Sequence, residues 1–147
     1  MNALELLKQD HQKVKELFQQ VAEADDQNQR EEIFNKIDTE LEIHAHIEET
    51  VFYPALEQHD QLKAMVAEAL AEHQEVKGLL EDIEEIDGAS DEFESRLQIL
   101  MESVEDHVAV EEREMFPKVS ECFDEKELDQ LGKQLESAKG VEQKQAS

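Results

Sequence analysis

Residues 44–54 read HAHIEETVFYP, and residues 107–117 read HVAVEEREMFP. Each stretch carries a histidine, a pair of glutamates beginning four residues later, and an aromatic residue before a proline. A helix can aim only some of these inward. With His44 set at zero and about 100° added per residue, Ile33, Ile37, Leu41, Val51 and Phe52 fall within about 80° of it, Ile47 lies about 60° to the other side, and Glu48 lies about 40° away. His44 and Glu48 thus share the apolar stripe. By the same count Glu49 lies about 140° away and His46 about 200° away, so both are expected to face solvent. In the second stretch Phe93, Leu97, Leu100, Val104 and Val110 surround His107 and Glu111, while Glu112 points away.

The duplication extends beyond these two stretches. HQKVKELF at His11 matches HQEVKGLL at His73, and the two pairs of matching segments are separated by 62 and 63 residues. Leu4, Leu7, Val14 and Phe18 flank His11, and Val66, Ala69, Val76 and Leu80 flank His73. Two helical hairpins of one pattern would pack with approximate two-fold symmetry and set equivalent side chains opposite each other in a common core. Each of four helices then contributes one inward histidine.

Apolar residues recur at three- and four-residue spacing through roughly 3–24, 30–57, 61–86 and 91–122, with short polar or glycine-bearing breaks between them. Breaks this short force neighbouring helices to run antiparallel. The expected fold is all-α: an antiparallel up-down-up-down four-helix bundle over residues 1–123, then a short C-terminal fifth helix and tail over 124–147. Asp124, with Glu127 three residues on, is the expected cap of that fifth helix, and Leu128, Leu131 and Leu135 are expected to dock it. The tail from Gly140 onward is expected to fray. Pro54 and Pro117 should kink or end their helices, because each lacks an N–H and its ring clashes with the preceding turn.

Composition narrows the functions open to such a bundle. The 147 residues carry 39 acidic and 14 basic side chains, a formal charge of −25, which repels phosphate backbones and anionic lipid heads. Neither nucleic acid nor membrane is an expected partner. The N-terminus reaches charged residues too early for the apolar core of a signal peptide, and no stretch approaches membrane-spanning length, so the expected location is cytoplasmic. Cys122 is the sole cysteine and reads as a small packed hydrophobe. His46 and His59 read as surface residues.

The chemistry lies in the inward polar set: His11, His44, Glu48, His73, His107 and Glu111. A lone histidine on an apolar face is commonly a hydrogen-bonded core residue, and one H-x-x-x-E is common in a Glu-rich helical protein. Recurrence on four helices in two matched copies is what sets this group apart. A buried carboxylate without a partner costs several kcal/mol and would sooner take up a proton. Inward Arg and Lys are too few to compensate. A pair of divalent metals would, with neutral imidazoles each binding one ion and carboxylates bridging both, leaving room for water, hydroxide or a small gas. There is no H-E-x-x-H for a zinc protease, no Gly-rich phosphate loop, and no E-x-x-H pair of the ferritin type.

At this point the sequence resembles the hemerythrin-like family, also called the HHE cation-binding domain. The resemblance rests on D-H early in helix one, H-x-x-x-E-E-x-x-x-Y/F-P on helix two and the later echo of both, over about residues 1–120. It implies an antiparallel four-helix bundle with a non-haem di-iron centre. Position by position, it implies His11, His44, His73 and His107 as terminal ligands, with Glu48 and Glu111 bridging two iron ions; manganese and zinc also suit His/Glu sites. Oxygen-carrying hemerythrins have a further histidine four residues after the ligand on helix three, where this sequence has Lys77, with Lys15 at the equivalent place on helix one. That departure points away from reversible oxygen storage and toward relatives linked to iron handling, nitric oxide or reactive oxygen. The expected function is binding of, or reaction with, a small oxidant (O2, NO or peroxide), the alternatives being a non-catalytic iron-binding or iron-sensing module and a metal-free acidic interaction bundle.

Overall fold

The computed structural model describes residues 1–146. Seven α-helical segments follow one another: α1 Ala3–Glu23, α2 Gln27–Ile47, α3 Tyr53–Leu56, α4 Asp60–Glu84, α5 Asp91–Val110, α6 Phe116–Cys122 and α7 Glu125–Ala146. Two π-helical turns, Glu48–Phe52 and Glu111–Met115, join α2 to α3 and α5 to α6. The chain therefore makes four bundle helices, α1, α2–α3, α4 and α5–α6, in an antiparallel bundle to which α7 adds a fifth.

Local chemistry sets the helix starts. Asn2 and Glu5 form a reciprocal capping box, with Asn2 Oδ1 accepting from Glu5 N–H at 2.9 Å and Glu5 Oε1 from Asn2 N–H at 3.1 Å. Asp26 accepts from Gln29 N–H at 2.7 Å, and Ser90 caps α5. Asp124 and Glu127 form the second capping box, at 2.8 and 3.1 Å, as the DEKEL run predicts.

The prolines act one turn upstream of themselves. Pro54 has no N–H for the Thr50 carbonyl, and an α-turn there would press its ring against that carbonyl. The helix widens instead: Tyr53 N–H reaches back five residues to Glu48 O, and Phe116 N–H likewise to Glu111 O. Each wide turn begins at an inward glutamate of the repeated motif.

Two apolar clusters fill the bundle. One gathers Leu7, Ile47, Phe52, Leu56, Leu62, Phe116 and Val119, together with Leu128, Leu131 and Leu135 from α7. The other gathers Val14, Phe18, Phe34, Ile37, Leu80, Phe93 and Leu100. Along each helix the inward histidine falls between residues of the two clusters, so the polar group forms a layer between two dry halves.

Three local expectations change. The fifth helix is not short; it runs 22 residues and stays helical past Gly140 to Ala146, while Ser147 lies outside the described residues. Leucines on one side hold it, and Gly132 lets it sit so close to the N-terminus that a Cβ there would collide with the Met1 carbonyl oxygen. Val110, expected on the stripe, is 37% exposed, because the register shifts as α5 enters its wide turn.

Candidate metal centre

The structure brings all six inward side chains together and buries each of them. His11 and His44 pack edge to face at 4.9 Å between ring centroids, as do His73 and His107. Each glutamate spans the two pairs. Glu48 Oε1 lies 3.3 Å from His44 Nε2 and 3.2 Å from His73 Nε2. Glu111 lies 3.1 Å from His11 Nε2 through Oε1 and 3.4 Å from His107 Nε2 through Oε2.

These short separations are not aligned as hydrogen bonds. Nε2 of His11, His44 and His107, both oxygens of Glu48 and Oε1 of Glu111 are buried without a hydrogen-bond partner among the described residues. Native interiors seldom strand so many polar atoms at one point, since each costs about 1–3 kcal/mol. Two donor atoms at right angles about one ion, with bonds of about 2.1 Å, stand about 3 Å apart. The spacings found here fit that arrangement, and the donor set, imidazole nitrogen and carboxylate oxygen, suits iron, manganese or zinc.

The outer ring nitrogens explain how the histidines are aimed. His11 Nδ1 is 2.6 Å from Glu112, His44 Nδ1 2.9 Å from Asp10, His73 Nδ1 2.9 Å from Glu49, and His107 Nδ1 2.7 Å from Glu72. An ionised carboxylate only accepts, so each Nδ1 carries the proton and donates it, leaving Nε2 to face the centre. The four partners obey the sequence repeat: Asp10 and Glu72 immediately precede the first histidine of each copy, and Glu49 and Glu112 immediately follow its inward glutamate.

Two residues expected to face solvent are therefore part of the site. Glu49 and Glu112 remain about one-third exposed, yet each crosses to a histidine of a neighbouring helix. A helical wheel gives direction about one axis and cannot register how far a side chain at the edge of the stripe reaches toward the next helix. Asp10, noted only as part of the D-H pair, and Glu72 received no site role from the sequence, although their places beside His11 and His73 in both copies carried the signal. His46 is half exposed and pairs with Glu142 on α7 at 3.2 Å, away from the centre; His59 stands against Phe123 at 4.7 Å.

Tyr53 breaks the two-fold pattern. Its hydroxyl donates to Glu111 Oε2 at 2.7 Å and lies 3.3 Å from His73 Nε2. Its counterpart Phe116 has no hydroxyl and stacks on His11, with 8° between the ring planes. Burial, together with the charges of Glu48 and Glu111, pushes the Tyr53 phenol far above its usual range, so it stays a donor.

Charge in the metal-free centre is settled by protons. Burial opposes the charged form of His107, but Glu111 and Glu48 outweigh it and raise the imidazole to about 9. Burial likewise opposes protonation of His44, which Glu48 and Asp10 nevertheless raise well above its ordinary value. Burial works against ionised Glu111 too, yet His107 and His11 hold its carboxyl well below the usual range. Protons thus occupy the electrostatic role a dication would take, and metal uptake would release them.

Beside the histidines lies a cavity of about 50 Å³ walled by Val14, Leu41, Ala45, Val76, Val104 and Val108. Two grooves related by the repeat flank it. The groove between α1 and α5 holds Lys15, and the groove between α2 and α4 holds Lys77. Both lysines are exposed at the groove rims, one turn beyond His11 and His73.

The fold and site define a helical bundle with a buried His/Glu cluster able to hold metal. The chain matches the hemerythrin HHE cation-binding domain over residues 2–119, and it belongs to that family. It is similar to a crystal structure of an HHE cation-binding-domain protein from Mycobacterium kansasii, with a TM-score of 0.88 and 30% identity over 99% of this chain and 90% of that one. An uncharacterized protein of Mycobacterium tuberculosis is 30% identical over 137 residues, 92% of this chain and 83% of that protein. A DNA nickase of Nostoc sp. is 31% identical over 139 residues, 95% of this chain but 39% of that protein's length. Among the described residues no helix is long and apolar enough to cross a membrane.

Proposed function

We propose that the chain is a non-haem di-iron protein that meets a small oxidant, O2, NO or peroxide, beside its ion pair. The observation that carries this reading is the set of stranded inward atoms on His11, His44, His107, Glu48 and Glu111, 3.1–3.4 Å from their neighbours and next to an apolar cavity. His11 and His44 would hold one ion and His73 and His107 the other, with Glu48 and Glu111 shared. When bound, a ferrous pair supplies two reducing equivalents and an open position for a small ligand.

The chain's own residues do the rest. Asp10, Glu49, Glu72 and Glu112 fix the histidine tautomers, which keeps Nε2 basic and inward. The valine-lined wall excludes bulk water and favours a neutral molecule of about two non-hydrogen atoms. Tyr53 holds a proton 2.7 Å from Glu111 Oε2, where it can donate to negative charge on that side of the centre. Exposed Lys77 stands where an oxygen carrier has a fifth histidine, which favours reaction over storage. A net charge of −25 argues against extending DNA chemistry from the longer nickase relative to this chain. A cytoplasmic setting is part of the proposal, and the free thiol of Cys122 suits a reducing compartment.

The test is anaerobic loading with Fe(II), metal analysis, and stopped-flow mixing with O2, NO or hydrogen peroxide. Two irons per chain and rapid oxidation, both lost in Glu48→Ala, are expected. Iron-loaded protein inert to all three oxidants would leave an iron-binding or iron-sensing module, and protein that takes up no iron would refute the metal reading altogether.

A further inference from the structure

The C-terminal helix does more than cover one edge of the bundle. It lies beyond residues 2–119, and through Lys139 it reaches one of the carboxylates that support the centre. Lys139 forms an ion pair with Asp10 Oδ1, while Asp10 Oδ2 receives the His44 Nδ1 proton at 2.9 Å. The chain Lys139–Asp10–His44 therefore runs from α7 to an inward imidazole.

This arrangement has no counterpart in the other half of the repeat. Glu72, the equivalent of Asp10, has a side chain 29% exposed and pairs with His107 at 2.7 Å, facing solvent rather than lying beneath a further helix. Glu49 and Glu112 are 36% and 34% exposed. Asp10 is 5% exposed, beneath α7. Water can stabilise the three outer glutamates, but a buried carboxylate needs a partner on both oxygens.

We infer that Lys139 is a positioning residue for the ion held by His11 and His44, and that α7 thereby makes the two metal positions unequal, the His11/His44 position releasing its ion more slowly. The inference rests on the di-metal reading of the centre. Without the ammonium, Asp10 Oδ1 is left buried and unpaired; the carboxyl then turns away toward water, and His44 loses the acceptor that fixes its ring. Losing an outer carboxylate of this kind weakens metal binding about 10- to 100-fold. The ammonium's direct repulsion of a dication beyond His44 works in the opposite sense. Screened at the bundle edge, it amounts to only a few-fold, so positioning dominates.

The experiment follows release of Fe(II) from anaerobically loaded protein to a ferrous chelator. The wild type should release two ions in two phases. Lys139→Met should accelerate the slow phase about tenfold or more and leave the fast phase in place. Lys139→Arg should restore it, and Lys133→Met, the same charge loss at an exposed position of α7, should change neither phase. In His107→Ala, which keeps the His11/His44 pair, the retained ion should leave at the slow rate. Circular dichroism of each variant checks that the bundle is folded. Two ions leaving the wild type in one phase, or a slow phase unchanged in folded Lys139→Met, overturns this inference and leaves the di-metal reading standing; a wild type that takes up no iron overturns both.

Discussion

Replacing Tyr53 with phenylalanine isolates the one hydroxyl that breaks the two-fold pattern of the centre. The ring is 1% exposed and packs against Phe52 and His73 at 5.8 and 5.4 Å between centroids, contacts that phenylalanine keeps. What disappears is the 2.7 Å donation to the buried carboxylate of Glu111. A hydrogen bond to a charged group contributes about 1.5–3 kcal/mol, and its loss leaves Glu111 Oε2 without that donor. For a domain of this size, about 2–4 °C of melting temperature accompanies each kcal/mol, which gives an expected drop of about 3–12 °C. Thermal melts of metal-free protein in excess chelator measure it without interference from metal occupancy. Because Glu111 is held ionised well below the usual carboxylate range, the difference should persist at pH 4.5 and vanish only in stronger acid. A metal-free Tyr53→Phe protein melting within about 1 °C of wild type at pH 7 would refute the claim that this hydroxyl donates a stabilising hydrogen bond to ionised Glu111.

Glu49→Ala, through the loss of its hold on His73, should weaken iron binding about 10- to 100-fold, whereas His46→Ala should leave it unchanged; equal effects in a metal titration would remove Glu49 from the site. In metal-free protein the His107 imidazole is raised to about 9, so its contribution is complete below pH 6.5 and is lost as pH rises through 9. The denaturation midpoint should fall across that window, and a flat profile would contradict the assignment. Asp38 is raised to about 7 by burial beside Glu84 and Glu42, so the folded protein retains a proton there that the unfolded chain sheds near pH 3.8. Its contribution therefore becomes unfavourable as pH rises from about 4 to 7, and Asp38→Asn should raise the midpoint at pH 7 and above but not at pH 4; no gain at neutral pH would contradict the shift.

The sequence alone determined which helices form and, Val110 apart, which apolar side chains and histidines face the core, because both follow from period and spacing within one segment. The repeat of H-x-x-x-E placed His44 with Glu48 and His107 with Glu111 before any tertiary contact was known, and the matching His11 and His73 completed the inward set. Capping at Asp124 was legible for the same reason, since its partner Glu127 is three residues away. Tertiary structure alone decided what lies between helices. It paired His11 with His44 and His73 with His107, sent Glu49 and Glu112 across to imidazoles on other helices, and gave Tyr53 a role that Phe116 cannot share. It also laid α7 over Asp10, so that Lys139 meets a residue 129 positions earlier in the chain. Helix offset and side-chain reach across a packed interface set these contacts, and neither quantity is written in the periodicity of a single helix.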